Sequence, residues 1–144
     1  MRLWHYELIF YLPRQQLLSQ WRECCCIAKS IDEKGTPNHV LVNRIMDYPI
    51  DDFVEYCTLV CIEMEYRGYR CDFSRLDRII EKWDYVVPLR TDDSHMFQNW
   101  HNDIYLRECL YNLEEKAICG AIPADEWHTI YDRFKDFTPL WKGE

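Results

Sequence analysis

The chain has 144 residues, 48% hydrophobic and 15% aromatic, which is enough apolar material for one core and too little length for two ordinary domains. That composition excludes a disordered tail, and no run of about eighteen apolar residues exists that could span a membrane. The formal net charge is −8, the wrong sign for a protein that holds a polyanion purely by neutralising phosphates.

The charge is unevenly spread. Residues 1–50 carry a net +1 and residues 51–144 a net −9, so only the N-terminal third is suited to face an anionic partner. Eight cysteines would form a disulfide framework in a secreted chain, but the first ten residues hold His5 and Glu7 and do not read as a signal peptide. Cys24, Cys25 and Cys26 are consecutive on a predicted helix and cannot all find bridging partners. Free, mostly buried thiols in a reducing cytoplasmic setting are expected.

Met1 to Phe10 is apolar, with Trp4, Tyr6 and Phe10 suited to packing against a helix end. Pro13 fits a first helical turn, where its missing N–H would be unpaired anyway. Leu17, Leu18, Trp21, Cys25 and Ala28 then recur at three- and four-residue steps, predicting a helix from Pro13 to Lys29. Gln16, Ser19, Gln20 and Glu23 recur at the same steps on a second, polar face. Ser30 to Pro49 holds Gly35, Pro37 and Asn38 and reads as a loop carrying His39, Asn43 and Arg44, with a short apolar piece at Val40–Met46.

Asp51 or Asp52 is expected to cap a second long helix, with Phe53, Cys57, Val60, Cys61 and Met64 inward and Gly68 as its stop. Asp72 and Ser74 can cap a shorter helix that buries Leu76, Ile79, Ile80 and Trp83. Tyr85 to Asn99 reads as a loop. His101 to Lys116 is a third long helix with Leu106, Cys109, Leu110 and Leu113 on one stripe, ended by Gly120 and Pro123. Glu126 to Phe134 forms a short last helix. No segment alternates convincingly as a strand, and the chain reads as all-α, a single domain over 1–144 built as one compact bundle of about three main helices plus short ones.

Glu23 sits on the polar face with Arg22 beside it, and a carboxylate flanked by an arginine stays ionised and can be aimed. A solvated helix face is the plainer reading of the same residues. His5, His39 and His101, joined by Glu23, have the chemistry of a zinc or iron site, if the fold brings them together. Cys57 and Cys61, four apart on an apolar stripe, read as core residues more than as zinc ligands.

The first helix also carries Gln15, Leu17 and the triplet Trp21-Arg22-Glu23, followed by Asn38-His39-Val40 and Glu63-Met64-Glu65-Tyr66-Arg67-Gly68-Tyr69. In this order the motifs resemble the pyrimidine-dimer DNA glycosylase (endonuclease V) family, and the opening Arg2-Leu3-Trp4-His5 resembles a bacterial branch of it. The likeness covers the first half of the chain well and the second half only in helix order. It implies a DNA repair N-glycosylase and abasic-site lyase acting on double-stranded DNA, without a metal or other cofactor. The nucleophile of such enzymes is the chain's own α-amine, which attacks the sugar C1′ to give an imine.

Removal of an initiator methionine before Arg2 is not expected, so the resemblance assigns the amine to Met1 and the proton-handling carboxylate to Glu23. Arg2 and Arg22 are the positions it assigns to phosphate. Where the family has a histidine near the helix start this chain has Gln16, and where it has an arginine three residues after the glutamate this chain has Cys26. A family fold that has lost this chemistry and serves as a binding module is the alternative, as is a metal-dependent site at the histidines.

Overall fold

The computed structural model describes residues 1–83 and 96–136, with the side chain of Arg75 left aside. All regular structure among the described residues is helical, without a strand. A 3-10 helix at Tyr6–Tyr11 leads into α1 (Arg14–Lys34), and a second 3-10 helix at Asn43–Asp47 leads into α2 (Ile50–Tyr66). α3 (Ser74–Lys82), α4 (Asp103–Ile118) and α5 (Ala124–Phe134) follow. The expected loop over Tyr85–Asn99 lies outside the described residues as far as residue 95; residues 96–100 form a turn.

α1 runs five residues further than its first stripe indicates, because Ile27 and Ile31 continue the buried side beyond Ala28. It ends at Gly35, whose φ of 74° lies in the left-handed region and whose N–H reaches the carbonyl of Ile31. α1 packs on α2 and α3, α2 packs on both 3-10 helices, and α4 packs on α5. One continuous core joins Leu3, Leu8 and Leu12 of the N-terminal segment to Leu17 and Ile27 of α1, Phe53 and Val60 of α2, Leu106 and Leu110 of α4, and Ile130 of α5. Phe10, expected to pack inward, is 46% exposed instead.

Polar side chains stitch distant segments to this core. Arg67 donates from Nη1 to the Leu12 carbonyl at 2.8 Å and from Nε to Glu63 at 2.9 Å, so the Arg-Gly step that ends α2 also fixes the entry to α1. Gly68, at φ 86°, closes α2 with its N–H on Glu65 and leaves the next N–H, that of Tyr69, on Met64. Glu126 of α5 accepts from the Arg14 N–H at 3.1 Å and so satisfies one of the open donors at the start of α1.

Asp52 is not the cap of α2. Pro49 holds that position, and Asp52 is buried, accepting from the Phe97 N–H at 3.0 Å and tying the 96–100 turn to α2. Phe73 holds the cap position of α3, while Asp72 accepts from the backbone N–H and the hydroxyl of Ser74 just ahead of it. All eight cysteines are free; Cys24, Cys57, Cys61 and Cys109 are buried, Cys25 and Cys71 half-buried, Cys26 and Cys119 exposed. Burial pushes the Cys57 thiol well up, which keeps it a packed, protonated core residue.

Candidate active site

The polar side of α1 is not a solvated face, because Gln20 is completely buried. Its Oε1 accepts from the Trp4 backbone N–H at 2.8 Å, and its Nε2 donates to the Arg2 carbonyl at 3.0 Å and to Glu23 Oε2 at 3.3 Å. The Trp4 N–H fixes which end of the amide is oxygen, so the NH₂ end must face Arg2 and Glu23. One side chain thereby closes the N-terminal backbone against the helix that carries the carboxylate.

Tyr56 of α2 completes this contact from the other side. Its hydroxyl lies 2.6 Å from the Trp4 carbonyl and 2.9 Å from Gln20 Oε1. Tyr105 of α4 donates to the Leu3 carbonyl at 2.6 Å. Burial pushes both phenols up from their ordinary value, Tyr56 strongly, so they stay protonated and remain donors. The Tyr6 N–H is taken by His101 Nδ1 at 3.1 Å. Residues 2, 3, 4 and 6 are therefore each held by a side chain from α1, α2 or the start of α4, through backbone groups that any residue type would present.

His101 is positioned by the 96–100 turn. Phe97, fully buried and at φ 56°, accepts the His101 N–H, and the imidazole stacks 5.2 Å from His5 and 5.9 Å from the Tyr6 ring. Burial, with His5 and Arg44 as neighbours, lowers its pKa to about 2. The ring is neutral, Nδ1 is the acceptor, and the proton sits on Nε2, which is buried without a hydrogen-bond partner among the described residues.

Glu23 is half-buried at the edge of this clamp, and Met1, one residue before the first clamped carbonyl, is 42% exposed. Among the described residues the Met1 amine makes no ion pair. The Arg2 guanidinium lies 5.4 Å over the Trp4 ring and beside Tyr105 and Cys109, a partly internal position. Arg22 is exposed and donates to Ser19 Oγ at 3.2 Å.

The histidines do not assemble into a metal site. No group of three or more His, Cys, Asp or Glu suited to a metal occurs among the described residues. His5 and His101 pair through their rings, while His39 belongs to the loop before the second 3-10 helix, where its Nδ1 accepts from Leu41 and its N–H goes to Asn43. Asn43 thus shapes that loop.

Gln20, Tyr56 and Tyr105 are the clamp residues that sequence reasoning does not single out. The one available signal is that Gln20 stands three residues before Glu23, a spacing that places the two side chains together on a helix. The tyrosines give no local sign of their role.

Comparison with known families finds a match in the N-terminal half of the chain. The family model described as pyrimidine dimer DNA glycosylase covers residues 1–77, more than half of the chain, and includes α1, α2 and every clamp residue except His101 and Tyr105. No curated protein and no solved structure matches the chain.

Proposed function

Since the chain belongs to the pyrimidine dimer DNA glycosylase family, we propose that it cleaves the glycosidic bond of damaged DNA with the Met1 α-amine as nucleophile and Glu23 as the proton-handling carboxylate. An α-amine titrates at about 7.7–8.0, against about 10.4 for lysine, so a useful fraction is neutral near pH 7. The amine attacks the sugar C1′, the damaged base leaves with the bonding electrons, and loss of a proton from nitrogen's adduct opens the sugar to an imine. The imine acidifies C2′–H; removal of that proton expels the 3′ phosphate and breaks the strand. Glu23 stabilises the cationic intermediates and moves these protons.

The observation that carries this reading is the shared amide: Gln20 Nε2 bonds both the Arg2 carbonyl and Glu23 Oε2. A terminus that only had to be tolerated would fray. Here four of its first six residues are fixed by buried or half-buried side chains, which limits the volume the Met1 amine can sample beside the carboxylate.

The test is strand breakage at low salt, in the presence of a chelator, on duplexes with one cyclobutane pyrimidine dimer, one abasic site or no lesion. Breakage of both damaged duplexes and sparing of the intact one is expected. Cleavage of neither damaged duplex would sink the reading and favour the binding-module alternative, which the net charge of −8 supports.

A further inference from the structure

A second feature of α1 lies outside the clamp. Along its other side an open groove of about 770 Å³ separates α1 from α3, lined by Trp21, Arg22, Cys25, Cys26 and Lys29 of α1 and by Leu76, Arg78, Ile79 and Lys82 of α3. Its volume is that of a ligand site, roughly 300–1,000 Å³. Among the described residues the walls hold four cations and no carboxylate, on a chain whose net charge is −8. The floor is apolar, with Trp21 buried and stacked 6.1 Å from Phe73. Arg22, Lys29, Arg78 and Lys82 are all exposed at the rim. Asp32 lies 3.2 Å from Lys82, a partly exposed pair that a competing anion can displace at little cost.

We infer that this groove is a track for the phosphates of one DNA strand, running beside the site of the proposed chemistry, and the inference rests on that reading. Arg22 and Lys29 stand seven residues apart on one helix, a rise of about 10 Å, which lets the two side chains meet different phosphates of one strand. Arg78 and Lys82 supply the facing cations one helical turn apart. The groove gives an acidic protein a local anion-binding surface, which is what DNA binding requires of it and what the whole-chain charge conceals. Arg78, Ile79 and Lys82 lie beyond residue 77, so two of the four cations come from a part of the chain outside the family match.

The experiment is equilibrium binding of a labelled abasic-site duplex across salt concentrations, by fluorescence anisotropy, for the unaltered protein, the double variant Arg78→Gln/Lys82→Gln, and Lys116→Gln as an exposed α4 control outside the groove. Each phosphate contact contributes about 0.9 to the slope of log affinity against log salt. The double variant is expected to flatten that slope by about 2 and to weaken binding on the order of tenfold or more at 0.1 M salt, with the control near the unaltered protein. A slope unchanged in the double variant, or flattened equally by Lys116→Gln, overturns the groove. Borohydride trapping on the same duplex separates the two ideas: groove-dependent binding without a covalent adduct leaves the track standing and removes the glycosylase reading, whereas no binding by the unaltered protein removes both.

Discussion

Gln20 and Arg22 stand two residues apart on α1 and have opposite surroundings. Gln20 is completely buried, with its amide oxygen and nitrogen both bonded to the N-terminal backbone, whereas Arg22 is exposed on the rim of an open cationic groove. The closed side is fixed by directional bonds between neutral groups; the open side offers mobile charges to a partner that the chain does not itself contain. The proposed chemistry on a sugar would draw on the first kind of surface, which restrains the N-terminal backbone against the helix that carries Glu23. Affinity for a long anion needs the second, which tolerates different positions along a strand. Under the proposed function both stand on one helix, so helix geometry would set the distance between reaction and binding.

The largest expected effect falls on the closed side. Glu23→Gln keeps the side chain's shape and its bond to Gln20 but removes the proton acceptor, so strand breakage at an abasic site should slow by about 10²-fold or more. The fold, followed by circular dichroism, should be unchanged, because Glu23 is only half-buried. Equal rates for the two proteins would separate Glu23 from the chemistry.

Gln20→Ala comes next. It leaves the Trp4 N–H and the Arg2 carbonyl without partners inside the protein, and each orphaned buried group costs about 1–3 kcal/mol. A loss of about 2–4 kcal/mol in urea unfolding is expected, together with a weakened adduct yield at temperatures where the variant remains folded. Gln20→Glu is the sharper companion: it can still accept from Trp4 but places a second carboxylate against Glu23. Full stability in both variants would mean that the clamp does not hold the terminus.

A smaller effect should appear with pH. His101 has a folded pKa of about 2, below the ordinary 6.5 of an unfolded histidine. The unfolded chain therefore binds the proton more readily, and this group's contribution to stability, complete above about pH 6.5, is lost progressively as the pH falls toward about 2. Between pH 7 and pH 5.5 the loss should be about 1 kcal/mol, before most carboxylates titrate. His101→Asn retains an acceptor for the Tyr6 N–H and should flatten the stability profile in that window. An identical profile would show that acid weakens the protein elsewhere.

The smallest effect belongs to the open side. Asp32→Asn removes the partner of Lys82 in a partly exposed pair and should change stability by no more than about 0.5 kcal/mol. It should strengthen duplex binding slightly at low salt, since one carboxylate near the groove is gone.

The contrast between the two sides also marks where sequence reading reaches its limit. The α1 stripe, the Gly68 stop and the all-helical class follow from spacing and from glycine's left-handed φ, which are properties of short segments. The burial of Gln20 does not, because it is decided by Trp4 and Arg2, 16 and 18 residues away, and by Tyr56 on the next long helix. An apolar stripe with a polar face reads the same whether that face meets water or a polar backbone. Asp52 illustrates the same point: its position at the start of α2 predicts a cap, yet its partner is the N–H of Phe97, 45 residues on. The three histidines likewise needed the fold, which pairs His5 with His101 and leaves His39 in its own loop. The groove was hidden for another reason, since its cations come from two helices in a chain whose total charge points the other way.

Whether the N-terminal amine is the nucleophile is decided by mapping the covalent adduct. The protein is incubated with an abasic-site duplex and borohydride, the crosslinked species is digested, and the modified peptide is identified by mass spectrometry, with an N-terminally acetylated sample alongside. The sugar remnant is expected on the α-nitrogen of Met1, with no adduct after acetylation. A remnant on a lysine, or an adduct that survives acetylation, would contradict that assignment.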